Sequence, residues 1–248
     1  MPSTSASSRS LAMLAVLARA ERALSLAELA APLGLPKATA HRIVEQLVQG
    51  GFLTRDTEER TYTTGPALHR LAFDTLNHGV PRGLRHAVLG ELVDRIGETC
   101  NFTTLDGAQV LYLDRVEAAW PLRLTLDVGS RVPLHCTASG KLFLAHLGED
   151  ARERLIAGLA LARMTPRTIT TATALRAECA RIVEAGHATD RQEFVAGLIA
   201  VAVPVRDGDG VVRAAIALHA PVARMSLKTA VGKLAALRAA ARRMQALL

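Results

Sequence analysis

The chain has 248 residues, of which half are hydrophobic and only 3% aromatic, and it carries a formal charge of +7. That length suits two domains, although one large domain would also accommodate it, and the core must be built mainly from Leu, Val, Ile and Ala. Cys100, Cys136 and Cys179 are widely spaced with no CxxC pair, which excludes a disulfide framework and a zinc knuckle; reduced thiols are expected.

The charge is unevenly placed. Residues 1–65 are net +1, residues 66–223 net zero and residues 224–248 net +6. Bulk charge is therefore weak support for nucleic-acid binding, and motif geometry has to carry any such reading.

Residues 1–20 look superficially like a secretory leader, with Arg9, the apolar run Leu11–Ala18 and Ala18-Arg19-Ala20. The positive region is a single Arg, however, and Leu11, Leu14 and Leu17 fall at helical spacing. We read Ser10–Ala20 as a first helix and expect a cytoplasmic protein; no run reaches the length of a membrane span.

Leu24–Gly65 holds the most informative pattern. Ser25 is an N-cap with Glu28 three residues on, the capping-box spacing. Leu26, Leu29, Ala30 and Leu33 share one face. Gly34 permits a tight turn, and Pro36 opens the next helix, whose buried stripe is Ile43, Val44, Leu47 and Val48. Lys37, Ala38, Thr39, His41 and Arg42 lie on its early, outward turns. Gly50-Gly51 stops it. Two β-prone runs follow, Phe52–Thr54 and Thr61–Thr63, around the polar loop Arg55–Arg60.

This order outlines a winged helix-turn-helix, in which the second helix enters the major groove and reads bases from its N-terminal turns. Lys37 and Arg42 are the expected base or phosphate contacts, with Ala38, Thr39 and His41 on the same face and Ser25 at the start of the preceding helix. Arg55 and Arg60 sit on the wing, within reach of phosphate or the minor groove. The bland reading is a helical hairpin used only for packing or protein contact.

Beyond the first domain (9–65), Gly65–Asn77 shows helical spacing in Leu68, Leu71, Ala72 and Leu76 before Gly79 and Pro81 break it. Residues 66–80 are read as a linker helix and 81–248 as a second domain. Its first helix, Arg82–Ile96, turns Leu84, Val88, Leu92 and Val93 inward. The hairpin Cys100–Leu105 with Gln109–Val116 turns at Asp106-Gly107, and Leu122–Leu126 is a third strand. Thr137–Leu147, Asp150–Leu159 and Thr173–Ala185 read as helices, and Gly186–Thr189 as a short extended piece. Leu198–Val205 and Val211–Leu218 form a second hairpin, and Leu227–Leu248 closes the chain as a helix. Its basic residues lie opposite the apolar positions Leu227, Val231, Leu234, Leu237, Ala241 and Met244, which reads as a solvated face. Strands, helices and strands again indicate an α+β domain on an antiparallel sheet.

Several chemical signals fail on inspection. Ser139-Gly140-Lys141 lacks the flanking residues of a phosphate loop, since His135 and Leu142 stand where Gly and Ser or Thr are needed. His135 and Cys136 are neighbours on an extended segment and point to opposite faces, so they cannot share a proton as a dyad. Asp190 and Glu193 have no nucleophile or base converging on them. No catalytic residue, metal or cofactor is expected.

Taken together, LSLAELAAPLGLPKATAHRIVEQLVQGGFL, VLYLDRVE (110–117), VGSRVPLHCTASGKLFLAHL (128–147), TPRTIT (165–170) and EAGHATDRQEFVAGLIAVAVPVRDGDGVV (184–212) make nearly the whole chain similar to the IclR family of bacterial transcriptional regulators. The resemblance implies a GAF-like effector-binding second domain, with assembly as a homodimer or homotetramer. It also implies a ligand site. Ala138 and Ser139 match the small pair whose backbone N–H groups receive a carboxylate near a helix start. Asp190 matches an acidic position, Leu198 and Ala200 the residues past Gly197, and Ala217 and His219 those on the last strand. Small-acid sensors tend to carry Cys or Ser where Ala200, Ala217 and His219 stand, so a larger, more apolar effector is expected, such as an aromatic or cyclic carboxylate. Ordinary core packing is the competing reading for each of these residues.

The reading that results is a ligand-responsive regulator of a catabolic operon. It binds a roughly palindromic double-stranded operator and senses a small organic acid, without contact with a membrane. Two other readings stay open at this point: an α+β enzyme acting on a small carboxylate, with the helical head as a dimerisation unit, and a sensor acting through protein contacts alone.

Overall fold

The computed structural model describes residues 5–20, 22–56, 58, 60–77, 79–120 and 126–247. The chain divides into two units, Met1–Leu76 and Asn77–Leu248.

In the first unit, helix α1 (Ala6–Ala18) starts four residues ahead of the expected position because the Ser5 hydroxyl caps it, accepting the Ser8 N–H at 3.1 Å. Strand β1 (Leu24–Ser25) leads into α2 (Leu26–Ala30), and α3 spans Lys37–Gln49. The capping box forms as its spacing predicts: the Glu28 carboxylate accepts the Ser25 N–H at 2.8 Å and the Ser25 hydroxyl accepts the Glu28 N–H at 3.4 Å. Such a cap contributes about 1 kcal/mol. Gly34 takes the left-handed φ of 59° at the turn. Pro36 is the N-cap of α3 rather than its first residue.

Met13, Leu17, Leu29, Ala40, Ile43, Val44, Leu47, Leu53 and Tyr62 pack as one core. Strands β2 (Leu53–Asp56) and β3 (Thr61–Thr64) form the antiparallel wing, and β1 adds to the far side of β3 through Leu24 and Tyr62. Two residues carry no legible strand pattern, so β1 was invisible in the sequence. Gly65, before α4 (Pro66–Asn77), is obligatory: a Cβ there would sit 2.3 Å from the Gly51 carbonyl oxygen.

The second unit opens with α5 (Gly79–Ile96), three residues earlier than expected. Pro81 falls in its first turn, where a missing N–H costs no helical bond. Val88, Leu92 and Val93 are buried as expected, but Leu84 is 49% exposed. The buried stripe instead runs through Arg85, Val88, Leu89, Leu92, Val93 and Ile96, and the Arg85 guanidinium lies over the Phe102 ring at 5.7 Å.

Strands β4 (Thr99–Asp106), β5 (Gln109–Val116) and β6 (Arg131–Pro133) precede α6 (Ala138–His146), α7 (Glu149–Gly158) and α8 (Ala172–Ala185). Then come β7 (Ala188–Arg191), β8 (Leu198–Arg206) and β9 (Val212–Pro221). The six strands form one antiparallel sheet in the order β6-β5-β4-β9-β8-β7. The third strand expected at Leu122–Leu126 falls on residues 122–125, outside the described residues, and the strand that flanks β5 is β6. The terminal helix is two helices, α9 (Leu227–Val231) and α10 (Leu234–Gln245), parted at Gly232.

Directly paired residues in an antiparallel sheet point to the same face. One row runs Asp190–Ala200–His219–Thr99 across β7, β8, β9 and β4. The next runs Ala188–Ala202–Ala217–Asn101–Arg115, reaching β5. Both rows share the face on which α6 packs, backed by α8; α5 and α10 cover the other.

Candidate functional site

The outward turns of α3 form the first site. Lys37, Ala38, His41 and Arg42 are exposed and Thr39 is half-buried, while Ala40, Ile43 and Val44 on the opposite side are in the core. Helical period alone separates the two sets, so core packing fixes which residues face solvent. Arg55 is exposed on β2 but has partners inside the unit: Glu45 of α3 at 3.6 Å, and the Tyr62 ring at 6.0 Å. Arg60 is exposed in the turn before β3, at a positive φ of 53°. The Ser25 hydroxyl is engaged in the α2 cap. The fold thus brings an exposed helix start and a wing carrying Arg55 and Arg60 onto one small unit.

The second site is the α6 face of the large sheet. Thr137 caps α6, its Oγ1 accepting the Gly140 N–H at 3.2 Å and its carbonyl accepting the Lys141 N–H at 3.0 Å. Helix geometry leaves the Ala138 and Ser139 N–H groups without an intrahelical acceptor. Gly140 is required for this close approach, since a Cβ there would lie 2.4 Å from the Leu134 carbonyl oxygen. Ala138, Ala200 and Ala217 pack in one cluster. Asp190 pairs with Ala200, and Ala200 with His219; Leu198 is buried at the start of β8, opposite Pro221. The residues predicted for the ligand site therefore converge, across strands distant in sequence.

The electrostatics of this face are distinctive. Burial pushes the Asp190 carboxyl up to about 7; the Glu193 N–H, which it accepts at 2.7 Å, works against the shift and the Glu193 charge adds to it. Burial, with the Arg115 charge second, lowers His219 to about 3, so its ring is neutral at neutral pH. Beside them Lys141 is fully buried, its Nζ donating to Glu193 Oε1 at 2.5 Å and to Glu178 Oε1 at 3.4 Å. Burial alone would raise the Glu178 carboxyl; the Lys141 charge and the hydrogen bond from Arg181 outweigh it and hold it below the ordinary range. The outer side of the Glu178–Glu193 pair borders a cleft of about 430 Å3 lined by Arg167, Arg181 and Arg191, to which none of the predicted ligand residues contributes.

His135 and Cys136 form no dyad. His135 Nε2 lies 2.9 Å from the Ala162 carbonyl, and burial raises the Cys136 thiol to about 12. Among the described residues, no group of three or more His, Cys, Asp or Glu is arranged to hold a metal ion, and no helix is long and apolar enough to cross a membrane.

Sequence reasoning missed two groups. The Lys141–Glu178–Glu193 network was signalled by a lysine inside the apolar helix sequence ASGKLFLAH, because a buried lysine demands an acid. Asn101 stands among several polar residues of β4, which does not single it out, and the face of Arg115 is set by the irregularity opposite Phe102 and Thr103, which strand alternation does not reveal.

Comparison with known proteins bears on both units. The family model for the bacterial transcriptional regulator IclR C-terminal domain matches residues 82–246, and the IclR helix-turn-helix model matches residues 6–57. The chain is 46% identical, over 96% of its length and 95% of the relative's, to the Cupriavidus necator protein named "Probable transcriptional regulator SauR". The crystal structure of Thermotoga maritima IclR is similar over 96% of each chain, with a TM-score of 0.65 and 25% identity. An IclR homologue from Microbacterium hydrocarbonoxydans, crystallised with 4-hydroxybenzoate, is similar over 98% of this chain and 99% of its own, with a TM-score of 0.61 and 27% identity. The curated relative is named as a regulator of transcription, not as an enzyme.

Proposed function

Because the chain belongs to the IclR family of bacterial transcriptional regulators, we propose that it is a ligand-responsive regulator of a catabolic operon that reads its operator with α3 and senses a small organic acid on the α6 face of the sheet. The observation that carries the reading is the exposed leading end of α3, with Lys37 and Arg42 standing clear of a core that holds Ala40, Ile43 and Val44. Lys37 and Arg42 contact bases or phosphates, Ala38, Thr39 and His41 line the same groove face, and Ser25 lies at the α2 start. Arg55 and Arg60 extend the contact to neighbouring phosphate or the minor groove. A homodimer or homotetramer supplies two such helices for a roughly palindromic site. The protein acts in the cytoplasm.

On the effector side, the Ala138 and Ser139 N–H groups at the α6 start receive a carboxylate. Asp190, Leu198, Ala200, Ala217 and His219 surround the body of the ligand. A carboxyl near pH 7 in its titration, as Asp190 has, donates a hydrogen bond to that carboxylate when protonated. The alanines favour an apolar body, in keeping with the aromatic acid held by the Microbacterium hydrocarbonoxydans homologue. Binding shifts the population between DNA-competent and incompetent states, with the linker helix carrying the shift.

Arg42→Ala tests the reading. Loss of one good base contact costs about 1–3 kcal/mol, so binding to a labelled duplex from upstream of the chain's own gene weakens by roughly tenfold or more, while ligand-induced thermal shifts stay at wild-type values. Unchanged duplex affinity in the Arg42→Ala variant would remove α3 from the interface.

A further inference from the structure

The alanine-lined part of the α6 face ends at β9. Beyond it the face becomes polar: Asn101 on β4 stands opposite Ala217, and Arg115 on β5 stands opposite Asn101. Asn101 is completely buried. Its Oδ1 accepts Arg115 Nη1 at 3.0 Å, but its Nδ2 has no hydrogen-bond partner among the described residues. His219, one residue along the same face, likewise keeps its Nδ1 buried and unpartnered. The Arg115 side chain is only 7% exposed and its Nε also donates to Glu117 at 3.2 Å.

Other polar side chains of β4 are satisfied. Thr103 Oγ1 donates to the Ala215 carbonyl at 3.5 Å, and Thr99 Oγ1 accepts the Ala118 N–H at 3.2 Å. Two orphaned groups thus lie close together on this part of the face, beside a buried guanidinium and next to a floor of one-carbon side chains; the other orphan near this face, Glu193 Oε2, is an acceptor and lies at the β7 side. A buried donor without an acceptor is costly to a fold, and a ligand oxygen removes that cost.

We propose that the effector is a two-ended acid, with one carboxylate at the α6 start and a second oxygen acceptor received at its far end by Asn101 Nδ2, Arg115 and His219. This rests on the acid-sensing reading above and adds the second anchor. Asn101 lies one strand beyond Ala217 of β9, past the apolar part of the floor. A short diacid or a ring acid with an oxygen opposite its carboxylate carries a group for each end; a simple monoacid fills one end alone. Glu117 balances the Arg115 charge, so the second group need only accept hydrogen bonds.

The experiment compares matched acids on the full-length protein by calorimetric titration: succinate against butyrate, and terephthalate and 4-hydroxybenzoate against benzoate. In at least one pair the two-ended acid binds tenfold or more tightly than its one-ended partner. In the Asn101→Leu variant that preference falls to within about twofold, while the one-ended acid binds as in the wild type. One-ended acids binding as tightly as two-ended ones in the wild type would overturn the second anchor and leave the acid-sensing reading standing; this comparison needs no variant to fold. An Asn101→Leu protein that keeps the full preference would also overturn it. Failure of every acid to bind would overturn both readings.

Discussion

Replacing Lys141 with methionine should destabilise the second unit by about 3–5 kcal/mol, the usual cost of removing one partner from a buried ion pair. The Lys141 side chain is fully buried and holds Glu178 and Glu193, each with a side chain only 5% exposed. Without it two carboxylates are left facing each other with little solvent. Arg181 compensates only Glu178, and from an exposed position. A loss of that size lowers the melting temperature by roughly 6–20 °C for a unit of this size. The penalty shrinks as pH falls, because the stranded carboxylates take up protons. Adding Glu178→Gln and Glu193→Gln to the methionine variant restores most of the loss, since neither stranded glutamate charge remains. A deficit below about 1 kcal/mol in differential scanning calorimetry at pH 7 would mean that the network is not the structural clasp described above.

The second large effect is the pH dependence of Asp190. Its carboxyl titrates near 7 in the folded chain because it is buried, against an ordinary value of 3.8. A folded-state value above the unfolded one stabilises the fold at low pH, and that contribution is lost as pH rises from about 4 through 7. Asp190→Asn removes the dependence. The stability difference between variant and wild type should therefore move in the variant's favour by about 2–3 kcal/mol between pH 5 and pH 8. Using the difference cancels carboxyls such as Glu28, Glu153 and Asp207, which are held low by hydrogen bonds to arginines and pull the other way. Chemical denaturation at the two pH values measures it, and parallel pH profiles for the two proteins would contradict it.

The first unit was almost wholly legible in the sequence because its signals are local. A capping box, a left-handed Gly34, the apolar stripe of α3 and the stop at Gly50 each depend on residues a few positions apart. Errors there were shifts of a few residues, as at Ser5, where a serine reaches forward to cap a helix. The sheet domain was legible as hairpins and helices but not as a site. Asp190, Ala200, His219 and Thr99 meet only through the strand order β4-β9-β8-β7, which no local pattern encodes. The resemblance to a known family supplied the positions on β7, β8 and β9. It did not supply Asn101, whose place depends on pairing with the distant β9, Arg115, whose face depends on a register irregularity, or Lys141, whose partners lie 37 and 52 residues away. Leu84 shows the limit of periodicity itself: the position lies beside the buried stripe, and a buried Arg85 took the place that hydrophobicity assigned to the leucine.

The most direct test of acid-controlled DNA binding is the coupling between the two ligands. The affinity of the full-length protein for a duplex from upstream of its own gene is measured with and without each acid that raises its melting temperature, and the affinity for that acid is measured with and without the duplex. Linkage requires the two ratios to be equal, and a typical coupling is on the order of 5–150-fold. The expected result is one acid that changes duplex affinity within that range, matched by the same factor in the reverse titration. An acid that binds tightly yet leaves duplex affinity unchanged would contradict a regulator controlled through this face of the sheet.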